Sequence, residues 1–426
     1  MTLGWLSIVR LGLVQTCLGA IVVLTTSTLN RLMVIELALP AVLPGLLVAL
    51  HYGIQMTRPN WGFISDQGGN RTRWIVLGMI ALALGGFGAA LGVVLLQTVW
   101  ISGLLLSIVS YALIGLGVGA SGTSLLALLA TSTAPHRRAA AATITWLMMI
   151  FGIAVTAGTV GAFLDPYSPE LLLKIVAIVC VSAVVVTMLA TLGIERGITS
   201  EVSTADPMGF AEGLREVWSE PKARIFTIFV FLSMTAYFMQ ELILEPYAGL
   251  VFGFTPGQST SLSGAQNGGV FIGMLTVGIA ATGLRIGQLR HWVVAGCLGS
   301  ALTLIFITII GQVGHIPLTP FVVGLGFFNG MFAVAAIGSM MALAGDGRET
   351  REGTRMGLWG AAQAIAAGFG GLLGAAAVDL MRGPLPDATA FGAVFLLEAS
   401  LFLAAALMAS RTMENRAPDA RLIAGE

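Results

Sequence analysis

The sequence predicts an all-α integral membrane protein with twelve transmembrane helices in two six-helix repeats. Composition is the first reason. Of the 426 residues, 56% are hydrophobic and 10% charged, and the mean hydropathy is +0.92. Such a chain cannot cover a water-facing surface, whereas lipid tolerates its apolar excess. Spacing is the second reason. Apolar windows of about 20 residues, the length that crosses a bilayer, recur at 8–33, 38–57, 74–96, 100–131, 138–163 and 170–193. They continue at 223–248, 260–283, 292–312, 317–344, 355–380 and 389–410. Charge is the third. With the N terminus inside, only Arg31, Lys174 and Arg382 of the 21 Lys and Arg lie off the cytoplasmic side. Both termini are therefore expected in the cytoplasm.

These windows divide the chain into an N-terminal bundle (1–193), a linker (194–222), a C-terminal bundle (223–412) and a tail (413–426). Within the polar linker, Pro207 to Trp218 reads as a short amphipathic helix at the membrane surface. Internal echoes support the halving. Arg138 and Trp146 recur as Arg351 and Trp359, with 351 − 138 = 359 − 146 = 213, half the chain length. Gly158, Gly161 and Asp165 recur as Gly371, Gly374 and Asp379. Two parallel repeats of six helices resemble the major facilitator architecture.

Several function classes lose support on composition. A net charge of +0 gives no field to recruit nucleic acid. Cys17, Cys180 and Cys297 each lie inside an apolar run and read as small buried hydrophobes, not disulfide or zinc ligands. No acidic cluster of the DxxxD type that would hold a magnesium diphosphate is present, nor any other catalytic constellation. The chain is expected not to be an enzyme.

The loop between the second and third helices reads Gly62-Phe63-Ile64-Ser65-Asp66-Gln67-Gly68-Gly69-Asn70-Arg71. It resembles the facilitator loop motif through Gly62, Ser65, Asp66, Gly69 and Arg71, with Gln67 where a basic residue is usual. Asp66 there suits a latch near a helix N terminus, the glycines allowing close approach; a solvated turn is the plainer alternative.

Ionisable groups at membrane depth are expensive unless they pair or reach water. Arg31 and Glu36 at the end of helix 1, and Glu241 and Glu245 in helix 7, are therefore expected to face the bundle interior or its outer mouth. They suit either a site for a ligand head group or proton, or an Arg31–carboxylate lock joining the halves. Gln266 and Asn267, adjacent amides in helix 8, are further interior candidates, although buried amides often tie helices together. His51 is the one histidine embedded in an apolar helix, followed by Tyr52 and Gln55. It reads as a hydrogen-bonded core histidine or as an imidazole donor to a metal. Gly368, Gly370, Gly371 and Gly374 suit a tight helix crossing or a flat crevice beside helix 11.

The segments around Arg31 and Glu241, together with His51, the GFISD loop and the Gly-rich stretch Gly115 to Ser124, look like the PucC family across essentially the whole chain. The resemblance implies a factor of the bacterial inner (intracytoplasmic) membrane that binds bacteriochlorophyll or delivers it to light-harvesting polypeptides, with a pigment synthase as a further partner. It makes His51 a candidate axial ligand for the pigment magnesium. A proton-coupled secondary transporter of a small solute or pigment precursor is the competing expectation.

Overall fold

A computed structural model describes residues 3–58, 61, 70–134, 138–195, 218–284, 286–314, 316–345 and 352–412. Twelve apolar helices occupy them. The first six are α1 (Trp5–Glu36), α2 (Val42–Thr57), α3 (Arg71–Leu96), α4 (Trp100–Ser132), α5 (Arg138–Phe163) and α6 (Pro169–Thr191). The second six are α7 (Pro221–Phe252), α8 (Pro256–Val277), α9 (Leu289–Val313), α10 (Thr319–Gly345), α11 (Glu352–Arg382) and α12 (Asp387–Thr412). Eleven are long and apolar enough to cross a membrane, and α2 is the shorter one. Most helices extend a few residues beyond the apolar windows. α8, for example, begins at Pro256 under a capping box between Thr255 and Gln258. With an even number of helices, α1 begins and α12 ends on one face, here the terminal face; the α1–α2 connection lies on the opposite, distal face. The expected interfacial helix at Pro207 to Trp218 lies outside the described residues except for Trp218.

Packing repeats between the halves. α3 packs on α4 as α9 does on α10, α1 on α5 as α7 on α11, and α3 on α6 as α9 on α12. The halves meet through α5 with α8 and α2 with α11, which are equivalent pairs under the same exchange. Glycine allows the closest of these approaches. On α8 and α10, Gly269 and Gly273 face Gly326 and Gly330, each pair at i, i+4. A Cβ on Gly326 would stand 2.0 Å from the Gln266 carbonyl oxygen, and one on Gly273 2.0 Å from that of Phe327. In lipid, where helices have no hydrophobic drive to associate, such backbone proximity is a main source of cohesion. The glycines of α11 serve the same purpose: Gly370 abuts the Thr235 carbonyl and Gly374 that of Met239 on α7. Of the two readings the helix crossing holds and the crevice does not: α7 covers Gly370, Gly371 and Gly374, and Tyr52 and Ala49 of α2 cover Gly368. Cys17, Cys180 and Cys297 are free and buried among apolar side chains.

α1 departs from regular geometry. It widens into π-helical turns at Leu24–Thr28 and Leu32–Glu36, a feature often found at functional positions. Within the first of these turns the Thr25 carbonyl accepts the Tyr111 hydroxyl of α4 at 2.7 Å.

Candidate functional site

The distal face is closed by direct contacts between the halves. Asn30 Nδ2 donates to the Leu242 carbonyl at 2.7 Å. The Ser27 and Ser263 hydroxyls lie 3.2 Å apart, as do those of Thr28 and Thr260. Arg31, 2% exposed, donates Nη1 to Glu36 and Nη2 to the Phe254 carbonyl, each at 2.8 Å. The hydrogen-bonded carboxylate of the expected Arg31 lock thus belongs to Arg31's own helix, and the other half is reached through the Phe254 carbonyl and, electrostatically, through Glu245. Glu36 also stands apart from the interior: it lines a pocket on the distal side with Gln97, Trp100 and Tyr167.

Two aspartates complete the closure, and they are the pair that the internal echo linked. Asp379, near the end of α11, accepts from the Ala41 and Val42 amides at 2.9 and 2.7 Å, at the start of α2. Asp165, just past α5, accepts from the Thr255 hydroxyl and, at 3.1 Å, from the Gly257 amide at the start of α8. Each carboxylate satisfies orphan N–H groups and complements the helix dipole of its partner across the half-interface. Removing both with Asp165→Ala and Asp379→Ala should loosen the distal face. A cysteine placed at Ser263 is then expected to label from that side in the double variant and to stay protected in the parent.

Below this closure a cavity of about 330 Å³ runs from mid-membrane toward the terminal face. It gathers His51, Glu241, Glu245, Gln266 and Asn267 from three helices, five of the seven interior candidates. Glu241 and Glu245 are one turn apart on α7 and share the cavity wall. Thr26 lies beside Glu241, and Ser263 and Arg31 act on Glu245. Glu245 is 2% exposed, and neither of its carboxylate oxygens has a partner in hydrogen-bond geometry. Gln240 Oε1 and Trp146 Nε1 are likewise unpartnered and belong to cavity-lining residues. Asn267 turns back, donating to the Ser263 carbonyl of its own helix at 3.0 Å. The walls between these polar points are apolar and aromatic, with Tyr52, Tyr237, Phe238 and Met149.

Sequence reasoning placed Arg58 among the loop cations, but it lines the cavity. Its spacing was the available signal: His51, Gln55 and Arg58 at i, i+4 and i+7 share one helix face. Arg58 Nη2 donates to Gln55 Oε1, and Gln55 Nε2 lies 2.9 Å from His51 Nε2. A guanidinium cannot accept, so the Gln55 oxygen faces it and the amide nitrogen donates to the imidazole. His51 Nε2 is thereby an acceptor, and its proton sits on Nδ1, which has no partner. Neither ring nitrogen then offers a lone pair to a metal. Among the described residues, no three His, Cys, Asp or Glu side chains cluster as metal ligands.

In the loop motif, Gly62, Ser65, Asp66 and Gly69 lie outside the described residues. Arg71 opens α3. Its amide and that of Thr72 donate to Glu195, at 2.9 and 3.1 Å, and its guanidinium donates to the Ala127 carbonyl of α4 at 3.0 Å.

Comparison with known proteins agrees with this geometry. The PUCC protein family profile matches residues 28–417. A protein of Rhodobacter capsulatus called bacteriochlorophyll synthase 44.5 kDa chain is 70% identical, over 98% of this chain and 97% of its own. Protein PucC of Cereibacter sphaeroides is 30% identical, over 93% and 90%. Among solved structures, a bacterial homolog of the human lysosomal transporter Spinster, in an inward-facing and occupied conformation, superposes with a TM-score of 0.70 at 15% identity. It covers 97% of this chain and 98% of that one. The twelve helices thus form a major facilitator fold, and the chain belongs to the PucC family.

Proposed function

We propose that this multi-pass membrane protein serves photosynthetic antenna assembly, taking a bacteriochlorophyll-class molecule into the central cavity and passing it to light-harvesting polypeptides. The observation that supports this is the cavity itself: closed distally, walled by aromatic and apolar side chains, and edged with polar atoms that have no partner in the protein. A 70% identical relative whose name refers to bacteriochlorophyll supports the pigment class. The terminal face would be cytoplasmic, as the basic residues argue.

The residues fit a tetrapyrrole in part. Tyr52, Phe238 and Met149 suit the faces of a macrocycle, and Trp146 Nε1 can donate to a peripheral carbonyl. They do not fit its magnesium, because His51 has no free lone pair in this arrangement. What the bound pigment supplies is light absorption. The protein's part is to hold the ring and keep water from it, and no enzymatic step is proposed.

The test is gentle purification from a phototrophic host, with a near-infrared spectrum and mass spectrometry of copurifying proteins. Bound pigment and antenna polypeptides are expected, and a deletion strain should lose antenna while still making pigment. Normal antenna levels in that strain would overturn the proposal. The alternative, proton-coupled transport, draws on the unpartnered Glu245 beside Glu241. It predicts that Glu245→Gln abolishes uptake into proteoliposomes without altering the folded fraction. A pigment factor should retain bound pigment in the same variant.

A further inference from the structure

This inference rests on the pigment reading and narrows it to one form of the molecule. In chlorophyll-type pigments a ring carboxyl carries the long isoprenoid tail as an ester. At that corner a ligand presents either a tail or a free acid, and the two ends of the cavity receive these differently.

The inner end is sealed by the Ser27–Ser263 and Thr28–Thr260 contacts, and it carries the acceptor oxygens of Glu241, Glu245 and Gln240. That seal leaves a tail no room. At the outer end stands Arg58, exposed, with its one hydrogen bond made to Gln55 and no carboxylate partner among the described residues. A cation so placed suits an anion, since a guanidinium holds a carboxylate by two parallel, charge-assisted bonds. An ester there would leave the guanidinium facing a neutral, apolar chain.

A volume of about 330 Å³ is near the lower end of pockets that enclose organic ligands, roughly 300–1,000 Å³, and so disfavours the bulkier tailed form. Along α2, the step from His51 to Arg58 is ~10 Å at the helical rise. An acid on Arg58 therefore leaves the ring beside His51, Tyr52 and Phe238, where the walls are apolar and aromatic. At its far edge it meets Glu241 on α7.

The geometry points to a free-acid tetrapyrrole as the ligand the cavity selects, its carboxylate on Arg58 and its macrocycle between α2 and α7. Because His51 offers no lone pair, the ring metal is not the handle, and a magnesium-free ring is a suitable probe.

The experiment is titration of the purified chain in lipid nanodiscs with a pheophorbide, which is a tailless, metal-free acid, and with its methyl ester, read by quenching of tryptophan fluorescence. The acid should bind about ten- to a hundredfold tighter than the ester, the range for a hydrogen bond to a charged group. Arg58→Gln should erase the difference, and Arg58→Lys, which keeps the charge, should keep most of it. Equal affinities in the parent chain, or a preference that survives in Arg58→Gln, would overturn the inference and leave the pigment reading standing. If neither compound binds, the inference is overturned as well, and the near-infrared spectrum of the copurified protein decides the pigment reading separately.

Discussion

A Gly326→Val variant should assemble poorly, its detergent-solubilised form losing about 3 kcal/mol of stability or more, at the upper end of what overpacked sites lose. The first added carbon would lie 2.0 Å from a carbonyl oxygen on α8, and this is backbone that no rotamer change can move aside. The facing glycines on α8 make the contact reciprocal, so relaxing one helix would part both rows. Gly324, two residues away, is the internal control. A Cβ there meets only the Thr303 methyl at 3.8 Å, and Gly324→Ala should be neutral or stabilising by about 0.5–1 kcal/mol. Thermal denaturation followed by fluorescence-detected size exclusion separates the two. A Gly326→Val midpoint equal to that of the parent would show that the α8–α10 approach is looser than described.

The second large effect is an asymmetry. Glu36→Leu should destabilise the fold more than Arg31→Met, although both break the same ion pair. Arg31 is 2% exposed and Glu36 35%. Losing the carboxylate strands a buried guanidinium, a situation that costs about 3–5 kcal/mol. Glu245, which also acts on Arg31, places the expected loss near 3 kcal/mol. Losing the guanidinium leaves Glu36 able to reach water, frees the Phe254 carbonyl and leaves Glu245 without its cation, which a bound proton can neutralise, a loss of about 1–3 kcal/mol. The double variant Arg31→Met, Glu36→Leu should therefore be more stable than Glu36→Leu alone. Denaturation of the three variants in detergent checks the order, and equal losses for the two single variants would contradict it.

What the sequence made legible follows from what lipid demands. Helix number, the equivalence of the halves and the interior placement of Glu241 and Glu245 all come from the expense of exposed polarity in a bilayer, which applies to each window separately. The echo of Asp165 in Asp379 carried more than symmetry, since both cap a helix of the opposite half. What was not legible depends on side-chain direction across helices distant in sequence. Spacing put Arg58 on the His51–Gln55 face but not which helices that face meets, and in the fold Arg58 lines the cavity while Arg71 braces α4. Glu195 could not be found as the cap of α3, because its partners are 123 and 124 residues away. His51 is buried, and whether it can ligate a metal depends on which ring nitrogen holds the proton. Only the partners Gln55 and Arg58 decide that.

The two widened turns of α1 have a consequence for how its far end is phased. Each residue of a regular helix advances the side chains by about 100°, whereas a π turn absorbs an extra residue with less rotation. Asn30 and Arg31 both follow the first such turn. Their azimuth toward the opposite half is thus set by a local change of pitch inside α1. Evolution can re-aim this end by inserting or deleting a single residue upstream, leaving the cavity-lining stretch before it in register.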